Sequence, residues 1–245
     1  MGPGRALYCG PLQYLETHVY GTSVLHVGVY RPFRIRLEDG HGWRSCRCVA
    51  IPAGTRHALD LAGGIHGKLF VERDGPYVPG FTERFGPSEA GVRFFEDEET
   101  IECFRWVYED DPNREAVERR LDGLTENGLR QVLITDTRIR LAIDLMGREP
   151  DRNFSQNELA SAVDLSPSRF LHLFRATTGV PYRRFRTWKR LLHCFELLHA
   201  RDHLTRAAVD AGFADLAHFS RSFRETFGIN PAPVFRHMER FDISP

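Results

Sequence analysis

Between Asp164 and Glu196 the chain carries seven basic side chains and no acidic one: Arg169, Arg175, Arg183, Arg184, Arg186, Lys189 and Arg190. A solvated helix face ordinarily mixes signs, so a one-signed run points to a polyanion. Guanidinium groups bind phosphate oxygens through charge-assisted hydrogen bonds. The imbalance is local. Over the whole chain 33 basic and 33 acidic residues cancel. From Asp136 onward 17 basic residues face 13 acidic ones, which leaves 16 against 20 before it.

Other residues offer less chemistry. The five cysteines (Cys9, Cys46, Cys48, Cys103, Cys194) are odd in number and scattered, as expected of reduced thiols in a cytoplasmic protein. Cys46 and Cys48 could begin a metal site, yet no second Cys or His pair stands nearby at ligand spacing. They read instead as strand residues facing alternate ways, although either could be a reactive thiol in an activating setting. We expect no catalytic group, no cofactor and no metal. Neither a signal-like N-terminal stretch nor an apolar run of the roughly 20 residues that span a membrane is present, so no membrane partner is expected.

The basic run belongs to elements that repeat. FLHLFRATTG (Phe170 to Gly179) overlays FSRSFRETFG (Phe219 to Gly228) at an offset of 49, with five identities in ten pairs. Each copy places two Phe residues four apart on one helix face, then an exposed Arg, then a Gly suited to a left-handed helix end. ELASAVDLSPS (Glu158 to Ser168) and RAAVDAGFADLAH (Arg206 to His218) precede them as a short helix and a tight turn. A short helix, a turn and a second helix, apolar behind and polar in front, is the helix-turn-helix pattern.

Local signals set the surrounding helices. Ile139, Ala142, Ile143 and Met146 announce a first helix ended by Gly147 and Pro150. Ser155 to Glu158 forms a capping box, and Ser166-Pro167 starts the helix that carries Phe170, Leu173 and Phe174 inward. Tyr182, Phe185, Trp188, Leu192, Phe195 and Leu198 form the apolar stripe of a long spacer helix of about 18 residues, roughly 27 Å. Asp215 is the expected cap of the second unit.

On these motifs, residues 138–237 resemble the double helix-turn-helix domain of AraC/XylS-type bacterial transcription regulators. GFADLAHFSRSFRETFGINPAPVFR (Gly212 to Arg236) is similar to that family's signature. The resemblance implies helices entering two adjacent major grooves of double-stranded DNA. The implied base-facing residues are Ser168, Leu171 and His172 in the first unit and Ala217, His218 and Arg221 in the second. Arg169, Arg175, Arg183, Arg184 and Arg224 are the expected phosphate contacts. Leu171 and Ala217 depart from the usual hydrogen-bonding residues and offer only apolar contact, for instance to a thymine methyl.

The N-terminal part reads as short strands. Val24 to Tyr30, Phe33 to Leu37, Cys48 to Ile51 and Lys68 to Val71 are apolar or alternating, with turns at Asp39-Gly40 and Gly63-Gly64. Ile51-Pro52-Ala53-Gly54-Thr55-Arg56-His57 resembles the second cupin motif, whose His is a metal ligand in metal-binding cupins. No His-x-His accompanies it, His26 and His41 stand alone, and we read His57 as a packing or hydrogen-bonding residue. Tyr30, Phe33, Trp43 and Phe70 are candidates for a barrel interior. Ile101, Phe104 and Tyr108 mark a helix, and Asp111-Pro112 opens another with Ala116, Val117, Leu121 and Leu124 as its apolar side. That pair suits either a homodimer contact or packing within the chain.

The expected fold is therefore α+β: a small cupin-like β-barrel over residues 1–95, a helical linker over 96–135, and an all-α double helix-turn-helix domain over 136–245. The expected function is a sequence-specific, effector-responsive transcription regulator. Its partners would be double-stranded DNA, RNA polymerase, an unknown small-molecule effector and a second copy in a homodimer. The rival reading is an enzyme, a cupin-type metalloenzyme or a DNA-repair alkyltransferase-like protein, carrying the same DNA-binding domain.

Overall fold

The computed structural model describes residues 4–38, 42–72, 81, 84–86, 91–125, 136–150, 152–201 and 203–236. The Asp39-Gly40 turn, His41 and the segment after 236 lie outside them. The N-terminal strands are β1 (Arg5–Pro11), β2 (Tyr14–Val19), β3 (Ser23–Gly28), β4 (Phe33–Leu37), β5 (Arg44–Cys46), β6 (Cys48–Ile51), β7 (Arg56–Asp60), β8 (Ile65–Val71) and β9 (Arg93–Phe95). They form two antiparallel sheets, a five-stranded one in the order β1-β8-β3-β6-β9 and a four-stranded one in the order β2-β7-β4-β5. The expected closed barrel is thus corrected to two facing sheets, with no ladder joining them among the described strands.

Side-chain alternation explains the layers. Along β4 Phe33 and Ile35 are buried while Arg34 and Arg36 are exposed, the mark of a sheet with one wet face. The five-stranded sheet is covered on both faces, so β3 and β8 are almost wholly buried. Val24, Val49, Ile51 and Phe70 point between the sheets, whereas Leu25, Val27, Cys48, Leu69 and Val71 pack outward against two helices. Those are α1 (Glu98–Glu109) and α2 (Arg114–Thr125). Val117, Leu121 and Leu124 of α2 are buried in that contact, so its apolar side is occupied within the chain. Asn113, rather than Asp111, caps α2, by accepting from the Ala116 N–H at 2.9 Å.

Cys46 and Cys48 do face different cores, but for a reason other than alternation: the chain changes sheets between them. Of the residues expected inside the barrel, Phe33 and Phe70 are there. Tyr30 and Trp43 are not, at 47% and 37% exposure. Tyr30 lies beyond the end of β3 and donates to Glu109 Oε1 at 2.6 Å. Trp43 stacks among Tyr14, Arg34 and Arg36 on the wet face.

Seven helices follow: α3 (Thr137–Arg148), α4 (Gln156–Ala162), α5 (Pro167–Thr178), α6 (Tyr182–Arg201), α7 (Leu204–Asp210), α8 (Leu216–Phe227) and α9 (Pro231–Arg236). Ser155 and Glu158 make the reciprocal capping box of α4, Ser166 caps α5 with Pro167 in its first turn, and Asp215 caps α8. Gly179 and Gly228 end α5 and α8 in the left-handed conformation, at φ 79° and 71°. The spacer α6 runs 20 residues, or about 30 Å. Leu191 and Cys194 are its most buried positions, while Leu192 and Leu198 of the expected stripe are only half-buried. This shift arises because α6 is covered from two sides. One continuous buried cluster joins Leu15, Tyr20, Val24 and Phe70 of the sheets to Trp188, Phe195, Phe219, Phe223 and Phe227 of the helices.

Candidate nucleic-acid interface

The outward faces of α5 and α8 follow from their buried ones. Phe170 and Phe174 of α5, and Phe219 and Phe223 of α8, are at most 3% exposed. Opposite them, Ser168, His172 and Arg175 are exposed on α5, and Ala217, Arg221 and Arg224 on α8. Both sets are spaced i, i+4, i+7, so the two helices present the same register of side chains.

Two expected base-facing residues are partly engaged elsewhere. Leu171 is half-buried against the cluster around α3, α4 and α5. The His218 Nδ1 accepts from the Ala214 N–H at 3.2 Å, and its ring stands edge-on to Phe213. Hydrogen bonding by that imidazole therefore already stabilises the turn ahead of α8.

The cations divide in the same way. Arg169, Arg175, Arg183 and Arg221 are exposed and have no carboxylate partner among the described residues. Arg184 is half-buried; its guanidinium pKa is lowered by burial first and then by Arg56 and Arg175 nearby. Arg190 is pushed down to about 10, again mainly by burial. Arg224 is committed inside the molecule, where its guanidinium pairs bidentately with Glu16 of β2 at 2.7 to 3.0 Å.

That ion pair belongs to a seam between sheets and helices. The Glu16 N–H donates to the Gly228 carbonyl at 2.7 Å. Trp188 Nε1 and Lys189 Nζ donate to the two oxygens of Glu72, at 2.9 and 2.7 Å. The close approach requires glycine: a Cβ on Gly228 would lie 2.5 Å from the Glu16 carbonyl and 2.6 Å from the His18 ring. Along the seam opens a narrow cleft with a cavity volume of about 50 Å³, partly open to solvent. Its wall is apolar (Ala6, Leu12 and Phe70 from the sheets; Trp188, Phe195, Phe223 and Phe227 from the helices), and among the described residues Lys68 is the one cation lining it. Lys68 is 4% exposed and donates to Tyr20 Oη at 3.2 Å.

Behind Lys68 the structure corrects the reading of solitary histidines. His18, His26, His57 and His66, drawn from β2, β3, β7 and β8, are all buried between the sheets. His26 Nδ1 and His66 Nε2 share a hydrogen bond of 3.0 Å, and the His18 and His57 rings lie 4.3 Å apart. His57 Nδ1 is bonded to the Thr55 carbonyl at 3.0 Å. Burial lowers all four imidazoles, His57 to about 4. Among the described residues, no three His, Cys, Asp or Glu side chains are grouped so as to hold a metal ion. Burial also pushes Cys46 and Cys48 up to about 12, so both are protonated thiols at neutral pH.

Sequence reasoning missed Glu16, Glu72, Lys68 and His66 as members of this seam. One signal was available: in the β8 sequence IHGKLFV, alternation places His66, Lys68 and Phe70 on one face. Such a Lys is costly to bury and therefore informative.

Known proteins resemble the chain in two ways. A helix-turn-helix domain family matches residues 159–237. The arabinose operon regulatory protein of Escherichia coli K12 is 33% identical over 99 residues, 40% of this chain and 34% of that protein. The lactose operon transcription activator of Staphylococcus xylosus is 26% identical over 108 residues, 44% and 38% of the two chains. The chain thus spans little more than a third of the length of these relatives. The crystal structure of ToxT from Vibrio cholerae O395 shares the fold over 98% of this chain and 100% of its own, with a TM-score of 0.64 at 11% identity. A structure of ToxT bound to an unsaturated fatty acid covers 95% of each chain, at a TM-score of 0.59 and 12% identity. The paired, equally registered helices and these likenesses agree: the chain carries a C-terminal helix-turn-helix domain of the AraC type, set in a fold shared with ToxT.

Proposed function

We propose that the chain is a sequence-specific DNA-binding transcription regulator. Residues 1–95 would sense an effector, 96–135 would link, and 136–245 would bind DNA. The carrying observation is the equal register of exposed side chains on α5 and α8, held apart by the long α6. Its length of about 30 Å is close to one turn of duplex, so the half-sites lie roughly 10 bp apart on one face. Ser168, Leu171, His172, Ala217, His218 and Arg221 face bases, while Arg169, Arg175, Arg183, Arg184 and Arg224 hold phosphates. Arg224 becomes available for that task when it leaves Glu16.

The effector we propose is an amphiphilic carboxylate seated in the cleft, its chain against Phe70, Trp188 and Phe223 and its head group at Lys68. Solved ToxT complexes with a fatty acid and with a naphthalenyl butenoic acid support this class. Because the cleft is walled by both sheets and helices, a ligand there favours one arrangement of the two. RNA polymerase contact, a homodimer and a cytoplasmic location complete the reading. The enzyme alternative has little support, since protonated thiols at Cys46 and Cys48 are poor nucleophiles.

Binding-site selection with full-length protein tests the proposal. Arg can bond guanine O6 and N7 together, so Arg221→Ala should cost about 1–3 kcal/mol and relax one or two positions of a single half-site. Arg183→Ala should weaken all sequences about equally. An unchanged selected motif with Arg221→Ala would refute the assignment of α8 as a base reader.

A further inference from the structure

We infer that the cleft takes up its ligand together with a proton: an anionic head group is held at Lys68 only as the lysine becomes an ammonium, so occupancy depends on pH. This rests on the reading of the cleft as an effector site and adds how that site is regulated.

The geometry leaves the lysine without a counter-charge. Lys68 lines the cleft, is buried, and makes its hydrogen bond to the neutral Tyr20 hydroxyl. Among the described residues no carboxylate forms an ion pair with it. Glu72, four residues further along the chain and just past the end of β8, is engaged by Trp188 and Lys189.

Among the described residues, the titratable groups packed around Lys68 are all neutral or basic. His18 comes from β2 and Tyr20 from just past its end, His26 from β3, His57 from β7, His66 from β8 itself, and Tyr8 of β1 shares the cleft wall. From α6 and α8 the cleft receives Trp188, Leu192, Phe195, Phe223 and Phe227, none of which carries charge. Burial accordingly pushes the ammonium down to about 7. An isolated buried ammonium is unfavourable, and a carboxylate beside it supplies the missing partner. The apolar wall selects an amphiphile over a free inorganic anion.

The linkage has a definite sign. A carboxylate stays ionised well above its own titration near pH 4–5. Above about pH 7 the free protein holds Lys68 neutral, so each further pH unit should weaken carboxylate binding about tenfold. Between about pH 7 and 5.5 the affinity should be flat, because Lys68 is already charged. An uncharged amphiphile should show neither trend.

Titration calorimetry of the full chain with decanoate and with decanol, at about pH 6.5, 7.5 and 8.5, decides the matter. We expect decanoate to bind about tenfold more weakly at pH 8.5 than at 7.5. Runs at pH 8.5 in two buffers of different ionisation heat should show close to one proton taken up per ligand. Lys68→Arg, whose charge is permanent, should bind decanoate with no pH trend. If that variant does not fold, the proton count on the unaltered protein still decides. Decanoate binding of equal affinity at pH 6.5 and 8.5 with no proton uptake would overturn the inference. Decanol binding without decanoate binding would overturn it and leave the cleft as an apolar ligand site. Failure of both to bind at any pH would overturn the effector reading itself.

Discussion

Replacing His57 by Gln should flatten the acid limb of the stability curve, and the size of the effect can be worked from the structure. His57 is 1% exposed, its Nδ1 is satisfied by the Thr55 carbonyl, and its Nε2 has no partner among the described residues. Burial holds it at about 4 in the folded protein, against about 6.5 in an unfolded chain. The unfolded state therefore binds the extra proton first as pH falls. Stability contributed by the neutral ring is complete above about pH 6.5 and is lost as pH drops toward 4. At about 1.4 kcal/mol per pH unit this window is worth roughly 3 kcal/mol for His57 alone. His18, His26 and His66 are displaced in the same direction, mainly by burial. They therefore steepen the same limb, against the 5–15 kcal/mol of a typical fold. Lys68 adds nothing to this slope, because its own loss, from an unfolded value near 10.5 to about 7, is complete before the histidines begin. Urea unfolding followed by tryptophan fluorescence from about pH 7.5 to 5 is the assay. Unaltered protein should lose stability below pH 6.5, and His57→Gln should lose about 1.4 kcal/mol less per pH unit. Parallel curves for the two proteins, or a His57 ring that titrates near 6.5 by NMR, would refute the reasoning.

Two further perturbations act on the seam. Glu16→Gln removes the charge that holds Arg224; the pair is half exposed, so it is worth at most about 1 kcal/mol. DNA affinity measured at fixed salt should rise two- to fivefold, and a decrease would show that Glu16 supports the DNA-binding arrangement rather than opposing it. Gly228→Ala places a Cβ at positive φ against the Glu16 carbonyl and the His18 ring. It should lower stability by about 1–2 kcal/mol from backbone strain alone, read as a lower urea midpoint, and an unchanged midpoint would mean that the seam opens at little cost.

Much of the helical half was legible in the chain because its determinants are local. A helix cap depends on residues three apart, so Ser155 with Glu158, Ser166 with Arg169 and Asp215 with His218 could be placed from spacing. The Phe pairs four apart set the inward faces of α5 and α8, and thereby the outward ones, before any tertiary contact is considered. The 49-residue repeat and the one-signed basic run carried the functional reading.

The sheets and the seam were another matter. Strand register is a non-local choice, and one step of slip turns every side chain to the opposite face. Spacing along the chain therefore could not say that Tyr30 and Trp43 end up outside, or that His18, His26, His57 and His66 meet between the sheets. It also offered no way to pair Glu16 with Arg224, 208 residues away, or Glu72 with Trp188, 116 away. Nor could apolar periodicity tell that the stripe on α6 is shared between α8 and the sheets, since a helix shows which positions are buried but not against what. Local chemistry determined helices α5 and α8 and their exposed faces; the cleft, its buried lysine and the restraint on Arg224 exist only because folding brings distant strands and helices to one seam.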